Sequence, residues 1–147
     1  MAASEATGTR LSKPLFLTLL AEGLALAGKI EEGLATLDDA LAKAAISGAN
    51  GWNAEIHRLR GELTGRLEYP DPAKAEDSYR TALAIAREQG TRGYELRAAT
   101  SLARLRRDQG HCTEARDLLA PVYGWFTEGF DAPDLKEAKA LLDTLEA

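Results

Sequence analysis

Cysteine occurs once in the 147 residues, at Cys112, so no disulfide can close within the chain and a reducing cytoplasm is the expected setting. Valine also occurs once and isoleucine four times; alanine, leucine, glutamate and arginine dominate instead, a balance that favours helix over strand. There is no basic excess. The net charge of −5 argues against a dedicated nucleic-acid binder, because neutralising phosphates requires positive charge. The longest apolar stretch, "PLFLTLL", is far too short to span a bilayer, and "MAASEATGTRLSKP" lacks the basic and apolar regions of a secretory signal. No G-x-x-x-x-G-K-[ST] stretch provides a phosphate loop. The two histidines, His57 and His111, lie far apart, and no paired-cysteine or paired-histidine spacing completes a tetrahedral metal site beside His111 and Cys112. Cys112 has no evident base and orienter to make it a nucleophile. No enzymatic activity, cofactor or metal is expected.

What is present is a helical rhythm. The chain is long enough for one domain that buries roughly 70% of its unfolded surface. Three segments share one layout of two helix-period stretches around a tight turn. The first is "SKPLFLTLLAEGLALAG" with "KIEEGLATLDDALAKAAISG", the second "WNAEIHRLRGELTGRLE" with "PAKAEDSYRTALAIAREQG", and the third "GYELRAATSLARLRRDQG" with "HCTEARDLLAPVYGWF". Every break falls on glycine or proline, which stop helices for backbone reasons. The expected organisation is a disordered segment over 1–10, then a single repeat domain over 11–147. Its hairpins span about 13–47, 52–89 and 93–127, and a capping helix covers about 133–146.

The segments align. Ala21, Gly61 and Ala103 are small residues in the middle of the first helices, and Gly33, Ala75 and Ala115 open the second helices. Four residues on come bulky Leu37, Tyr79 and Leu119, then Ala40, Ala82 and Val122. Small residues where helices cross, with a bulky neighbour filling the gap, are the packing logic of tetratricopeptide (TPR) repeats. The expected fold is therefore all-α: a right-handed solenoid of three long TPR-like hairpins closed by a C-terminal helix, with HEAT-like stacking as the alternative. In "DLKEAKALLDTLEA", Leu135, Ala138, Leu142 and Leu145 share the side expected to seal the last hairpin. Tyr123, Trp125, Phe126 and Phe130 precede it and are expected to fill the core beneath it.

The segment "LAPVYGWFTEGFDAPDLKEAKALL", with "LFLTLLAEGLALAGKIEEGLATLDDALA" and "EIHRLRGEL" before it, resembles the C-terminal TPR region of a bacterial family of large signalling proteins. These combine a class III nucleotide-cyclase domain or a DNA-binding domain with a predicted ATPase module and a long helical-repeat tail. The likeness covers nearly all of residues 11–146. Since the phosphate loop and any cyclase-like strand pattern are missing, the resemblance carries over the role of the tail alone, binding and regulation, and no catalytic residue.

Three surfaces are candidates. First helices line the inner face of such arrays, which places Glu55, Arg58, Glu62 and Arg66 beside Arg97, Thr100, Arg104 and Arg107, with Leu15, Thr18, Glu22 and Ala25 in the first hairpin. The arginines would form forked receptors for carboxylates or an acidic peptide; alternatively Glu55 and Glu62 pair with Arg97 and Arg104 across neighbouring helices. The second surface is the aromatic patch, as a pocket wall. The third is the first helix, whose leucines and phenylalanine spread around most of its circumference. Leu15, Phe16, Leu19 and Leu20 are there expected to pair with a second copy about a two-fold axis. The expected function is a cytoplasmic protein-interaction or scaffold module whose partner is a protein or peptide, not nucleic acid or membrane. The alternative is a small-ligand or acidic-peptide sensor using the inner arginines.

Overall fold

The computed structural model describes the backbone of residues 2–146 and the side chains of residues 13–146. The described residues form helices α1 (Ala2–Leu26), α2 (Ile30–Ser47), α3 (Asn53–Thr64), α4 (Pro72–Gln89), α5 (Arg92–Asp108), α6 (Cys112–Gly124) and α7 (Pro133–Leu145). A single 3-10 turn (Asn50–Trp52) precedes α3, and there is no strand among the described residues. The fold is all-α. α1 begins at Ala2, so Lys13, the expected start, lies within it. The side chains of the segment expected to be disordered, 1–10, lie outside the described residues.

Short links reverse the chain between paired helices. After α1, the Lys29 N–H donates to the Leu24 carbonyl at 2.8 Å and the Gly28 N–H to that of Ala25 at 3.0 Å. After α5 the same two bonds recur, from His111 to Arg106 at 2.8 Å and from Gly110 to Arg107 at 2.9 Å. Gly28 and Gly110 sit at φ 81° and 82°, left-handed backbone that a side chain would strain, and this lets the last carbonyls be satisfied as the helix ends. The α3–α4 link works differently. There Asp71 caps α4 by accepting from the Lys74 N–H at 3.2 Å, and Pro72 occupies the first turn, where no N–H is needed.

Each pair packs against itself, α1 on α2, α3 on α4 and α5 on α6, and the pairs follow one another through α2 on α3 and α4 on α5. First helices also touch across pairs, α3 on α5, while α7 lies against both α5 and α6. The aligned small and bulky positions lie in the interior. Ala21, Gly61, Ala103, Gly33, Ala75 and Ala115 are all buried, as are Leu37, Tyr79, Leu119, Ala40, Ala82 and Val122. A Cβ on Gly33 would stand 3.2 Å from the Ala21 carbonyl oxygen and 2.7 Å from Leu63 Cδ2. On Gly61 it would meet the Tyr79 ring, 2.5 Å from Cε1. The α3–α4 approach therefore exists because position 61 carries no side chain.

α7 buries Leu135, Ala138, Leu141, Leu142 and Leu145 in the same cluster as Ala103, Ala115 and Leu119. The aromatic patch departs from expectation. Tyr123 and Phe126 pack partly onto this cluster, but Trp125 and Phe130 are about half exposed. α6 ends at Gly124, so Trp125 falls beyond the buried helix face, where it stacks edge-on with Phe126 at 5.2 Å and lies under the Arg92 guanidinium at 4.7 Å. The leucines of α7, not these rings, cover the last hairpin.

Gly61→Ala should lower stability by about 1–3 kcal/mol, because the new methyl must displace a buried ring. Urea unfolding measures it, and Tyr79→Leu in the same chain should recover part of the loss. An unchanged midpoint would mean that α3 and α4 are free to separate.

Candidate functional site

The helix period brings Glu55, Arg58 and Glu62 to one face of α3 and Arg97, Ser101 and Arg104 to the facing side of α5. The Glu55 carboxylate is buried, and Arg58 grips it with Nε at 3.0 Å and Nη2 at 2.6 Å. Arg97 reaches the same carboxylate from α5 at 2.6 Å. Glu62 accepts from the Ser101 hydroxyl at 2.8 Å, with Arg58 at 3.4 Å and Arg104 at 3.8 Å. α7 completes the set: Asp134 stands 3.6 Å from Arg97, and Glu137 pairs with Arg104. Burial alone would lower the Arg58 pKa, but its hydrogen bonds and charge pairing with Glu55, then Glu62, raise it overall, so it is a permanent cation. Burial, then the nearby Glu62 carboxylate, push the Tyr79 hydroxyl well above the usual phenol range.

The other expected residues sit apart from this chain of pairs. The Thr100 hydroxyl donates to the Leu96 carbonyl of its own helix at 2.7 Å, as Thr18 does to Pro14. Arg107 pairs with its neighbour Asp108 at 3.1 Å. Arg66 is exposed beyond the end of α3 and has no ion-pair partner among the described residues; the same holds for Glu22 on α1. These two flank a cleft of about 290 Å³ between α1, α3, α5 and α7, floored by Leu59 and Leu63 with Ala25 and exposed Leu26 at its wall. Ser101, Asp134 and Glu137 were not among the expected residues. The i,i+3 spacing of Asp134 and Glu137 on α7 was the available signal for the latter two.

Carboxylates and guanidiniums are nearly balanced on this face of α3, α5 and α7, so it is not a positive patch. An acidic ligand would have to displace Glu55, Glu62 or the α7 carboxylates from arginines they already hold. The chemistry left open is that of the cleft: an apolar floor with one free cation and one free anion, among the described residues, at its edges.

A second cleft, of about 620 Å³, lies on α2, α3 and α4 around His57, Arg60, Thr64, Lys74 and Ser78, and nothing in the sequence pattern pointed to it. Arg60 is held there by Asp38 at 3.2 Å. Burial first, then Arg60, lower the His57 pKa, while Asp38 opposes them. No group of three His, Cys, Asp or Glu side chains among the described residues is placed to hold a metal ion. None of the described helices is long and apolar enough to cross a membrane.

An uncharacterized protein of Rhizobium meliloti (strain 1021) is 36% identical over 92 residues, which are 63% of this chain. The chain spans only 9% of the length of that relative. No known protein-family profile and no solved structure matches the chain.

Two outcomes test this geometry. Glu55→Gln weakens contacts to two guanidiniums at once and should cost about 1.5–3 kcal/mol, whereas Arg107→Gln should stay within about 0.5 kcal/mol of the parent. Denaturant titration of both variants distinguishes a structural network from a set of independent surface pairs. For His57, the unfolded chain takes up a proton near pH 6.5 that the folded chain accepts only at lower pH. Stability should therefore fall as pH drops below about 6.5, and His57→Gln should flatten that part of the profile. Identical pH profiles for the two proteins would show that His57 titrates alike folded and unfolded.

Proposed function

We propose that the chain is a protein-interaction module, a TPR-like stack of three hairpins closed by α7, of the kind that forms the regulatory repeat tail of cyclase- and ATPase-type signalling proteins. The observation that carries the interaction role is the inner cleft. It offers apolar floor residues between Glu22 and Arg66, and neither of these has an ion-pair partner among the described residues. Such a site suits a partner segment that places an apolar side chain on Leu59 and Leu63, a carboxylate on Arg66 and a cation on Glu22. The repeat reading is supported by the equivalent burial of the small and bulky positions in all three hairpins. The modular reading is supported by the relative, in which the matched stretch is a small part of a much longer protein.

An acidic-peptide sensor built on the inner arginines is disfavoured, because Arg58, Arg97 and Arg104 are already paired. The test is affinity capture from the native lysate with mass spectrometry, run in parallel with a Glu22→Lys/Arg66→Glu variant. The expected result is a partner retained by the parent and lost by the variant at unchanged helicity. Retention by both equally, or by neither, would count against the cleft as the binding site.

A further inference from the structure

The repeat alignment sets residues 16, 19, 20 and 23 of α1 in register with 56, 59, 60 and 63 of α3 and with 98, 101, 102 and 105 of α5. In α3 these positions form the junction with the hairpin before it. Ile56 and Leu59 are 0% and 7% exposed, and with Leu63 they join the cluster of Leu37 and Ala40 from α2. In α5 the junction repeats: Leu102 and Leu105 pack with Ala75 and Tyr79 of α4, and Ala98 clusters with Ala82. In α1 the same positions are Phe16 and Leu19, 62% and 58% exposed, together with exposed Leu20 and Gly23. A Cβ on Gly23 would touch nothing within 4 Å. α1 thus exposes Phe16, Leu19 and Leu20 at positions whose equivalents face the junctions of the other two first helices, as Ile56 and Leu59 do in α3 and Ala98 and Leu102 in α5.

We propose that this face of α1 is a docking face for a further helical hairpin of the same repeat. The occupant presents a second helix with a small–bulky–small stripe like Gly33, Leu37 and Ala40 of α2. The reason is continuity: the α2–α3 and α4–α5 junctions join such a stripe to this register of positions, and the α1 face offers Phe16, Leu19 and Leu20 in the same register. Leu20 stands where α3 has Arg60, and Gly23 where α3 and α5 have Leu63 and Leu105. An exposed apolar stripe of this kind on an otherwise charged helical protein marks a contact surface. The proposal rests on the repeat architecture of the proposed function but not on the inner cleft, and none of the residues it tests borders that cleft.

The test is an internal duplication of residues 13–52 in the full chain, giving 1–52 followed by 13–147. Asn53 is the repeat equivalent of Lys13, so the inserted α2 meets the inner copy of α1 in the native register. The thermal midpoint should rise by about 5 °C or more, since each added junction contributes its own interface. Phe16→Asp in the inner copy should remove the rise, and in the outer copy it should not. In the unmodified chain, Phe16→Asp should leave the midpoint unchanged and reduce binding of an apolar dye. The proposal is overturned by no rise on duplication, by equal effects of the two Phe16→Asp copies, or by a fall of several degrees in the unmodified variant. It is also overturned if sedimentation of the unmodified chain shows a dimer that Phe16→Asp abolishes. That outcome would give the face, with Leu15 and Leu19, to a second copy.

Discussion

Tyr79 lying on the bare backbone of Gly61 is the contact on which the middle of the molecule depends. Because α3 has no side chain there, α4 comes close enough for a whole aromatic ring to be buried between them. The same ring then meets Ala75 and Leu102, so one crossing ties α3, α4 and α5 together. Without it the spacing between first helices would widen. The ion pairs from Glu55 to Arg97 and from Glu62 to Arg104 span α3 and α5, and their reach is set by that spacing. Apolar packing supplies the distance, and the charges use it.

The charge network in turn explains why a face so rich in arginine offers little free positive charge. A carboxylate held by two guanidiniums from different helices pins the helices relative to each other, and breaking one partner leaves another charge without its counter-ion. α7 adds to this from the third side, with its leucines on the core and Asp134 and Glu137 on the arginines. One helix therefore covers the apolar end of the stack and neutralises part of its inner face. That face is a preformed surface whose open polar contacts lie at the edges of the cleft, not at its centre.

The helices and their crossings were legible because both follow from short-range rules. Glycine and proline stop helices locally, and a small residue recurring at matched places in three hairpins admits few arrangements that bury all of them. The Glu55–Arg97 and Glu62–Arg104 pairs were legible as one of two readings, since the alignment placed them opposite each other. Ser101 and the α7 carboxylates were missed because their roles depend on where the last helix lands, which no periodicity within a hairpin specifies. Trp125 and Phe130 were misjudged for a related reason. Large apolar area argues for burial, but α6 ends one residue before Trp125, which then packs on Phe126 and Arg92, while Phe130 packs on Tyr123.

The two ends of the stack are unlike in a way that bears on what each can do. At the end formed by α5 and α6, α7 turns leucines inward and charged residues outward. At the other end, α1 turns Leu17 and Ala21 inward and Phe16, Leu19 and Leu20 outward, so the helix has apolar surface on both sides. A stack held by nearest-neighbour junctions gains stability only where a neighbour is present. Apolar surface that merely ended such a stack would be better replaced by charge, as α7 does at its own outer face. Phe16, Leu19 and Leu20 instead stand in register with positions that the two internal junctions use.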